Sequence, residues 1–552
     1  MSVEWVQIGT DVIGENPGDY AGTSVSLSRD GSTIAIGAIK NDGNGSDSGH
    51  VQIYRNESGS WLQIGEDIDG ENESDFSGYS TSISADGSIV AIGAYGNSDN
   101  GLTSGHVRIY QNIDDSWSQI GDDINGEGVN DYSGWSISLS GDGSIIAISA
   151  KNNNGNGSDS GHVRIYQNLD GAWSQIGEDI DGENRYDQSG NSVSLSSDGS
   201  IVAIGASLND GNGNASGHVR IYKNVEGAWS QIGDDIDGES SYDQSGNSVS
   251  LSSDGSIVAI GASRNDGNGG NSGHVRIYRN VDDAWSQVGD DIDGEGLNNY
   301  SGCSVSLSGD GSIVAIGADG NNENGTASGH VRIYQNIDDV WSQVGDDIDG
   351  DVAGDETGRS VSLSSDGKVI GIGSPYFGES ASGNVRIFTT DITSPQISGP
   401  SGNTGDPSSS TSVNENQTEV YAFTSDETVT WALDGGDDAD KFSLNNNSGE
   451  LSFTTAPDYE LPVDNDTQND YEVIVKAIDI AGNVSNQSLI VTIKNLSAPT
   501  ELSISSSSFN ENIDTSSVVA TLSSSDVDDG DTHTYALVEG TGDTDNDSFT
   551  ID

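Results

Sequence analysis

The sequence predicts an all-β chain, a seven-bladed β-propeller followed by β-sandwich modules, and three observations carry that expectation. Tryptophan recurs at Trp5, Trp61, Trp117, Trp173, Trp229, Trp285 and Trp341, every interval being 56 residues. Each repeat holds four short apolar runs with strand character and no helical period. The repeat region opens on a lone first run and ends one run short, so its two ends complete one another.

The unit beginning at Trp173 reads WSQIG, an acidic loop, SVSLS, a short SSDGS turn, IVAIGA, a polar loop and GHVRIY. WSQIG, SVSLS and HVRIY alternate as strands do, whereas IVAIGA is almost continuously apolar, as expected of a strand covered on both faces. Asp-Gly at Asp30, Asp86, Asp142, Asp198, Asp254, Asp310 and Asp366 is a strong hairpin signal, so SVSLS pairs antiparallel with IVAIGA. A second hairpin joins VRIY to the next WSQIG. Four-stranded antiparallel repeats are propeller blades. The lone WVQIG at the start and NVRIF at 384–388 predict that residues 4–9 pair with the last strand and close the ring, leaving no bare edge.

Charge narrows the function classes. Asp and Glu number 89 against 19 Lys and Arg, a formal net charge of -70 in 552 residues. Such a surface repels nucleic acid and anionic membranes and attracts cations, which suits a calcium-containing exterior or high salt. Cys303 is the sole cysteine, so no intrachain disulfide forms. No stretch approaches the ~20 apolar residues of a membrane helix, and the first residues show no signal-peptide pattern. An export signal, if any, is expected upstream or at a C-terminus beyond residue 552.

The motifs SGWSISLS at 133–140, AIGA at 203–206 and SGHVRIY at 216–222 make residues 4–390 resemble the integrin-alpha-like FG-GAP propeller repeat. The family's phenylalanine is replaced by Ala21, Ser77, Ser133, Ser189, Ser245, Ser301 or Thr357, and only Gly373-Ser374-Pro375 keeps its proline. Its long Asp-rich calcium hairpin is replaced by the tight Asp-Gly turn, so its calcium ligands are not carried over. After Phe388, a Pro-, Gly- and Ser-rich stretch leads into runs such as VYAF, VTWAL and YEVIVKAI. With Asn414-Glu415-Asn416, Asp458-Tyr459-Glu460 and Ala477-Ile478-Asp479, this part resembles a bacterial cadherin-like β-sandwich of the Ig/cadherin type. The expected domains are a propeller at 1–390, a cadherin-like sandwich at 391–497, and at 498–552 half of a second one, as in a fragment of a longer protein.

The cadherin resemblance implies calcium as cofactor. Cadherin calcium sits between modules, on hard oxygen ligands drawn from both. It places Glu415, Asp458 and Glu460 at the base of the first module, with Glu511, Asp526 and Asp528 from the second. Asp479 faces the upstream junction, with Asp426 and Glu427. The linker departs from the family, having Lys494-Asn495-Leu496 where Asp-x-Asn-Asp is usual. In the propeller the loops Asp67-Asp69-Glu71, Asp179-Asp181-Glu183, Asp235-Asp237-Glu239 and Asp291-Asp293-Glu295 ring one face with carboxylates. They read either as calcium loops or as a solvated acidic face with turn-capping Asp. His50, His106, His162, His218, His274 and His330 share one repeat position, too far apart to ligate a metal together, and are expected to hydrogen-bond between blades. The recurring arginines, Arg108 among them, are expected to be ion-pair partners.

One position varies between otherwise similar repeats: Thr23, Tyr79, Trp135, Asn191, Asn247, Cys303 and Arg359. It begins the innermost strand, at the mouth of the channel. There Tyr79, Trp135 and Arg359 are candidates to hold a glycan or a peptide; the alternative is an unconstrained exposed position. Nearly every charged residue recurs in register and no unique nucleophile–base pair is found, so no enzyme is expected. The expected function is adhesion or ligand binding, extracellular or at a cell surface, with a glycan or protein of a cell surface or matrix as partner and no nucleic acid. The alternatives are a propeller-based carbohydrate-active enzyme and a structural spacer in a larger surface protein.

Overall fold

The computed structural model describes residues 4–378, 380–390, 393–459, 461–479, 482–496, 501–510, 512–525, 534–538 and 543–551. No α-helix occurs among them. The chain falls into two units, one comprising the repeats up to Thr393 and the other beginning at Ser394.

The first unit has a β-propeller repeat architecture of seven five-stranded sheets. In the second sheet, Ser80–Ile83, Ile89–Ala94, His106–Ile113 and Ser116–Gln119 follow one another in antiparallel order. A fifth strand of two residues, Ile124–Asn125, pairs with His106–Ile113 beyond the fourth. Sequence reasoning assigned this segment to the acidic loop; two residues are too few to show alternation. In the last sheet the corresponding places are taken from the N-terminus, where Val6 and Gln7 pair with Thr389 and Phe388, and Val12 and Ile13 with Val385 and Asn384.

Three sets of bonds join neighbouring sheets. Parallel bridges such as Gly105–Ser133 recur between successive sheets, and Ala21–Gly383 repeats the pattern between the first and the last. Inner-strand serines form the second set: Ser80 Oγ donates to Gly134 O, Ser192 to Gly246 O, and Ser360 to Gly22 O. The third lies at the Asp-Gly turns. Arg29 N donates to Ala85 O, and the series continues through Gly141, Ser197, Ser253, Gly309 and Ser365, whose N–H returns to Arg29 O, all at 2.7–2.9 Å. At the parallel bridges only glycine fits on one partner: a Cβ on Gly105 would meet Ser133 O at 2.1 Å.

Burial follows from this packing. Val202, Ala203 and Ile204 on a second strand are each 0–1% exposed, because sheets cover both faces. Each such Val or Ile contributes about 1.5–3 kcal/mol. The repeat tryptophans sit half-buried, and in all but Trp61 the indole N–H reaches the preceding sheet: Trp229 Nε1 donates to Ile176 O at 3.0 Å, and Trp5 Nε1 to Val344 O at 3.0 Å. In the turns, Asp198 Oδ1 accepts from Ser196 Oγ, Ser200 N and Ser200 Oγ.

In the second unit, Ser408–Asn414 runs parallel to Val484–Lys494, which is followed in the sheet by Asp470–Asp479 and Val429–Gly435. A three-stranded sheet of Glu419–Ala422, Glu450–Phe453 and Phe442–Leu444 shares its core. Tyr471, Val473, Val475 and Ala477 alternate inward, each 0% exposed, with the two-residue period of a strand.

Candidate binding site at the channel mouth

The first strands of all seven repeats line one cavity of about 660 Å³, within the range of ordinary ligand pockets. Its wall includes Thr23, Tyr79, Trp135, Asn191, Asn247, Cys303 and Arg359, so the variable position singled out in the sequence does converge on one space. Two further positions vary beside it. One is the residue before Ser-Gly or its equivalent: Tyr20, Phe76, Tyr132, Gln188, Gln244, Tyr300 and Glu356, all left-handed with φ of 52–59°. Bulky residues rarely adopt this conformation, and strain of this kind concentrates at functional sites. The next residue but one is glycine for a steric reason: at Gly134, φ +82°, a Cβ would lie 2.6 Å from His106 O. The other position ends the second strand and holds Tyr95, Lys151 and Asp319 among others. Sequence reasoning missed both, although their variation among near-identical repeats was the available signal.

Side chains of opposite character occupy the two sides. Tyr79 and Trp135 have ring centroids 4.4 Å apart, Tyr79 and Tyr95 4.6 Å, and Phe76 and Tyr95 5.3 Å. Tyr132 joins them, stacked 6.3 Å from Trp135. Lys151, 9% exposed, carries its Nζ 2.9 Å from the Trp135 ring centroid, and burial pushes its ammonium down to about 7. Burial likewise raises the Tyr79 hydroxyl, so it stays a protonated donor. Across the mouth, Arg359 Nη1 donates to Asp319 Oδ2 at 2.8 Å, while the Arg359 side chain remains 51% exposed. Burial and then the Asp319 charge raise Glu356. Asn191 Nδ2 donates to Asn247 O and Asn247 Nδ2 to Cys303 O. Burial also raises the Cys303 thiol, which leaves it a poor nucleophile. An aromatic wall facing an ion pair and amides can stack on an apolar ring face and hydrogen-bond its polar edge.

Of the sequence-predicted metal residues, the structure brings Glu415 and the Asp458 segment together and places Asp479 elsewhere. Glu415 is buried; its Oε1 accepts from Leu496 N at 2.8 Å and its Oε2 from Tyr459 N at 3.1 Å. Asp458 Oδ1 accepts from Leu461 N. Asp479, 2% exposed, takes Asn483 N and Nδ2 on its two oxygens, both at 2.8 Å. Asn483 precedes the start of Val484–Lys494, whereas Leu496 follows its end. Asp426 accepts from Gln396 N. Glu460, Glu511, Asp526 and Asp528 lie outside the described residues.

The histidines depart from expectation. His106 is 1% exposed, yet neither ring nitrogen has a hydrogen-bond partner. Its Nδ1 faces Asp123 at 3.8 Å and Glu71, from the preceding repeat, at 3.9 Å. The bond between repeats comes instead from the arginine two residues on: Arg108 Nη2 donates to Asp69 O at 2.6 Å, with Nη1 3.7 Å from Glu71.

Residues 14–54 match the FG-GAP repeat family model. The match takes in the first three strands of the first sheet. No curated protein matches the chain. Among solved structures, the chain is similar to hydrazine synthase of Kuenenia stuttgartiensis, at 15% identity over 70% of this chain and 99% of that one, with a TM-score of 0.44. It is similar to the periplasmic gluconolactonase PpgL of Pseudomonas aeruginosa, at 15% identity over 60% and 86%, with a TM-score of 0.41. U3-55K follows at 14% identity over 69% and 98%, with a TM-score of 0.43. Likenesses of this size carry no argument about activity.

Proposed function

We propose that this chain is an extracellular or cell-surface adhesion protein whose closed, seven-bladed propeller binds a glycan or a protein of a cell surface or matrix at its channel mouth. One observation carries the reading: among near-identical repeats, one set of residues that differ gathers around a single cavity, with Tyr79 and Trp135, backed by Phe76, Tyr95 and Tyr132, on one side and Arg359–Asp319 on the other. Aromatic faces stack on sugar rings and on peptide side chains, and the exposed Arg359 guanidinium offers a planar fork to a carboxylate. The second unit is read as a cadherin-like module that presents the propeller. Calcium at its junction would draw on Glu415 and Asp458, whose oxygens keep lone pairs beyond the backbone N–H groups they accept. The protein is read as a binder and not an enzyme, supported by the raised Cys303 thiol and by the recurrence of its acids in register.

Glycan-array and cell-binding assays test this. Binding should fall at least tenfold in Trp135→Ala and in Arg359→Ala, and stay unchanged in Ser253→Ala at the opposite end of the inner strands. Turnover in a glycoside and esterase screen, lost in the same two variants, would replace the binder reading with that of a carbohydrate-active enzyme. No binding and no turnover would leave the spacer. Calcium titration with Glu415→Gln and Asp528→Asn tests the junction: a calcium-dependent rise in melting temperature should vanish in both.

A further inference from the structure

Each histidine stands at the base of a cleft where two successive sheets meet, and carboxylates of both repeats surround it. In the second repeat the group is Glu71, Asp99, His106 and Asp123; in the sixth it is Glu295, Glu323, His330 and Asp347. In each, one ligand atom from every residue lies within 4.8 Å of all the others. We propose that these two clefts are binding sites for a divalent first-row transition-metal ion, clasping neighbouring propeller sheets through one imidazole nitrogen and carboxylates of both repeats.

The buried imidazole is the first reason. His106 and His330 are 1% exposed, and neither ring nitrogen of either has a hydrogen-bond partner. A buried polar group left unpaired costs about 1–3 kcal/mol. The Nδ1 atoms face oxygens, in His106 from too far for a hydrogen bond and in His330 within reach of Asp347 but without the alignment of one. His106 stands 3.8 Å from Asp123 and 3.9 Å from Glu71, and His330 stands 3.3 Å from Asp347 and 3.8 Å from Glu295. Donors bound at ~2.1 Å in tetrahedral array lie ~3.4 Å from one another, so small adjustments would bring the four atoms onto one ion. Asp349 Oδ1, 4.0 Å from His330 Nδ1, is a further buried oxygen without a partner.

Charge is the second reason. Where repeats two and six carry Asp99 and Glu323, repeats one, three, four and five have Gly43, Gly155, Gly211 and Gly267. A Cβ at Gly43 or Gly155 would lie 2.9 Å from Asp69 or Asp181, so this position looks onto the carboxylates. Repeat six thus adds an acid to a cleft that already repels one, and like charges this close oppose each other's ionisation; in repeat two Asn125 stands where Asp69 and Asp181 stand, so Asp99 brings a carboxylate into the group without raising the number of acids. Beside His106, the guanidinium of Arg108 answers Glu71, which leaves the three carboxylates two negative charges in excess. A divalent cation removes that excess. Three carboxylates alone would suit calcium, whereas an imidazole among them shifts the preference toward zinc or manganese. One donor is already held in place: Gln119 Nε2 donates to Asp123 Oδ1 at 2.7 Å, the kind of outer contact that orients a ligating carboxylate.

The remaining histidines, as at Glu15–His50–Asp67 and Glu183–His218–Asp235, lack the added acid and form weaker versions of the site. Around His218 the cleft opens into a cavity of about 680 Å³ lined by Glu183, Asp235 and Asp237, a route by which an ion reaches the imidazole.

The test is metal uptake by the full chain after chelation, with Zn²⁺ as probe and excess Ca²⁺ present to fill plain carboxylate sites. Elemental analysis and calorimetry should give two tight Zn²⁺ sites per chain. Asp99→Gly installs the residue other repeats carry, so the fold is preserved; it should remove one site, and Asp99→Gly with Glu323→Gly both. Co²⁺ loaded in place of Zn²⁺ should show visible absorption that halves in His106→Gln. No uptake, uptake abolished by Ca²⁺, or uptake untouched by these substitutions would each overturn the proposal.

Discussion

Lys151 offers the sharpest test of the channel-mouth geometry, because two large effects oppose each other there. Burial beside the Trp135 ring pushes its ammonium from 10.5 down to about 7. At 1.36 kcal/mol for each pH unit, desolvation costs the folded state about 5 kcal/mol while lysine is charged. A desolvated cation over an indole returns about 2 kcal/mol, so a net penalty of roughly 3 kcal/mol remains. Lys151→Met keeps the length and apolar stem and removes the charge. Burial leaves the folded chain holding the proton less tightly than the unfolded chain, which binds it up to about 10.5, so wild-type stability rises with pH as the folded and then the unfolded form lose it. The variant should therefore be about 3 kcal/mol more stable than the wild type at pH 6, and the two should converge above pH 10.5. Urea unfolding followed by tryptophan fluorescence at both pH values measures the difference. A gap of equal size at the two pH values, or a less stable variant at pH 6, would refute the balance of burial over cation–π attraction.

Four further outcomes follow from contacts elsewhere. Burial tends to raise Asp198, but the bonds from Ser196 and Ser200 together hold it below the usual carboxylate range; its stabilisation is present above pH ~4 and lost as pH falls through the lower folded value. Asp198→Asn should therefore destabilise at pH 6 and much less at pH 3, as read by thermal unfolding. Trp229→Phe keeps the ring and loses the bond to Ile176 O, so urea unfolding should show a cost of about 1 kcal/mol. Deleting residues 1–9 removes Val6–Gln7 from the last sheet and should expose an edge, seen as concentration-dependent light scattering. Glu415→Gln weakens the acceptors for Leu496 N and Tyr459 N and should lower the melting temperature in chelator as well as in calcium, a loss of roughly 1–3 kcal/mol.

Period and turn chemistry make the repeats legible from the amino acids alone. Invariant tryptophan spacing gives the unit, alternation gives the strands, and Asp198-Gly199 with its six counterparts gives the hairpin. What stayed hidden depends on backbone groups or on residues distant in the chain. The ring of turn amides from Arg29 through Ser365 uses no side chain, so composition does not report it. Glu71 and His106 are far apart along the chain and meet only because the chain leaves one sheet beside the third strand of the next. The position held by Thr23, Tyr79 and Trp135 was readable as variable. Its neighbours at Phe76 and Tyr95 were equally variable but sit outside the strand pattern, where a left-handed residue and a strand end do not announce a shared direction.

Near-identical repeats make departures from symmetry informative in a way that single-copy folds do not allow. The serines, turn aspartates and arginines repeat because each junction between sheets must solve the same packing problem, and a solution found once serves at every junction. A residue that breaks the pattern is freed from that requirement or recruited to another. One set of breaks is concentrated: Phe76, Tyr79, Tyr95, Tyr132, Trp135 and Lys151 fall on two adjacent repeats, with Asp319, Glu356 and Arg359 on two others. The left-handed position is aromatic also at Tyr20 and Tyr300, but among the described residues only beside Tyr79, Tyr95 and Trp135 do such rings join into one cluster, an asymmetric face that a sevenfold scaffold needs in order to bind one ligand in one orientation. Asp99 and Glu323 are breaks of the second kind, each setting one more potential ligand beside a buried histidine.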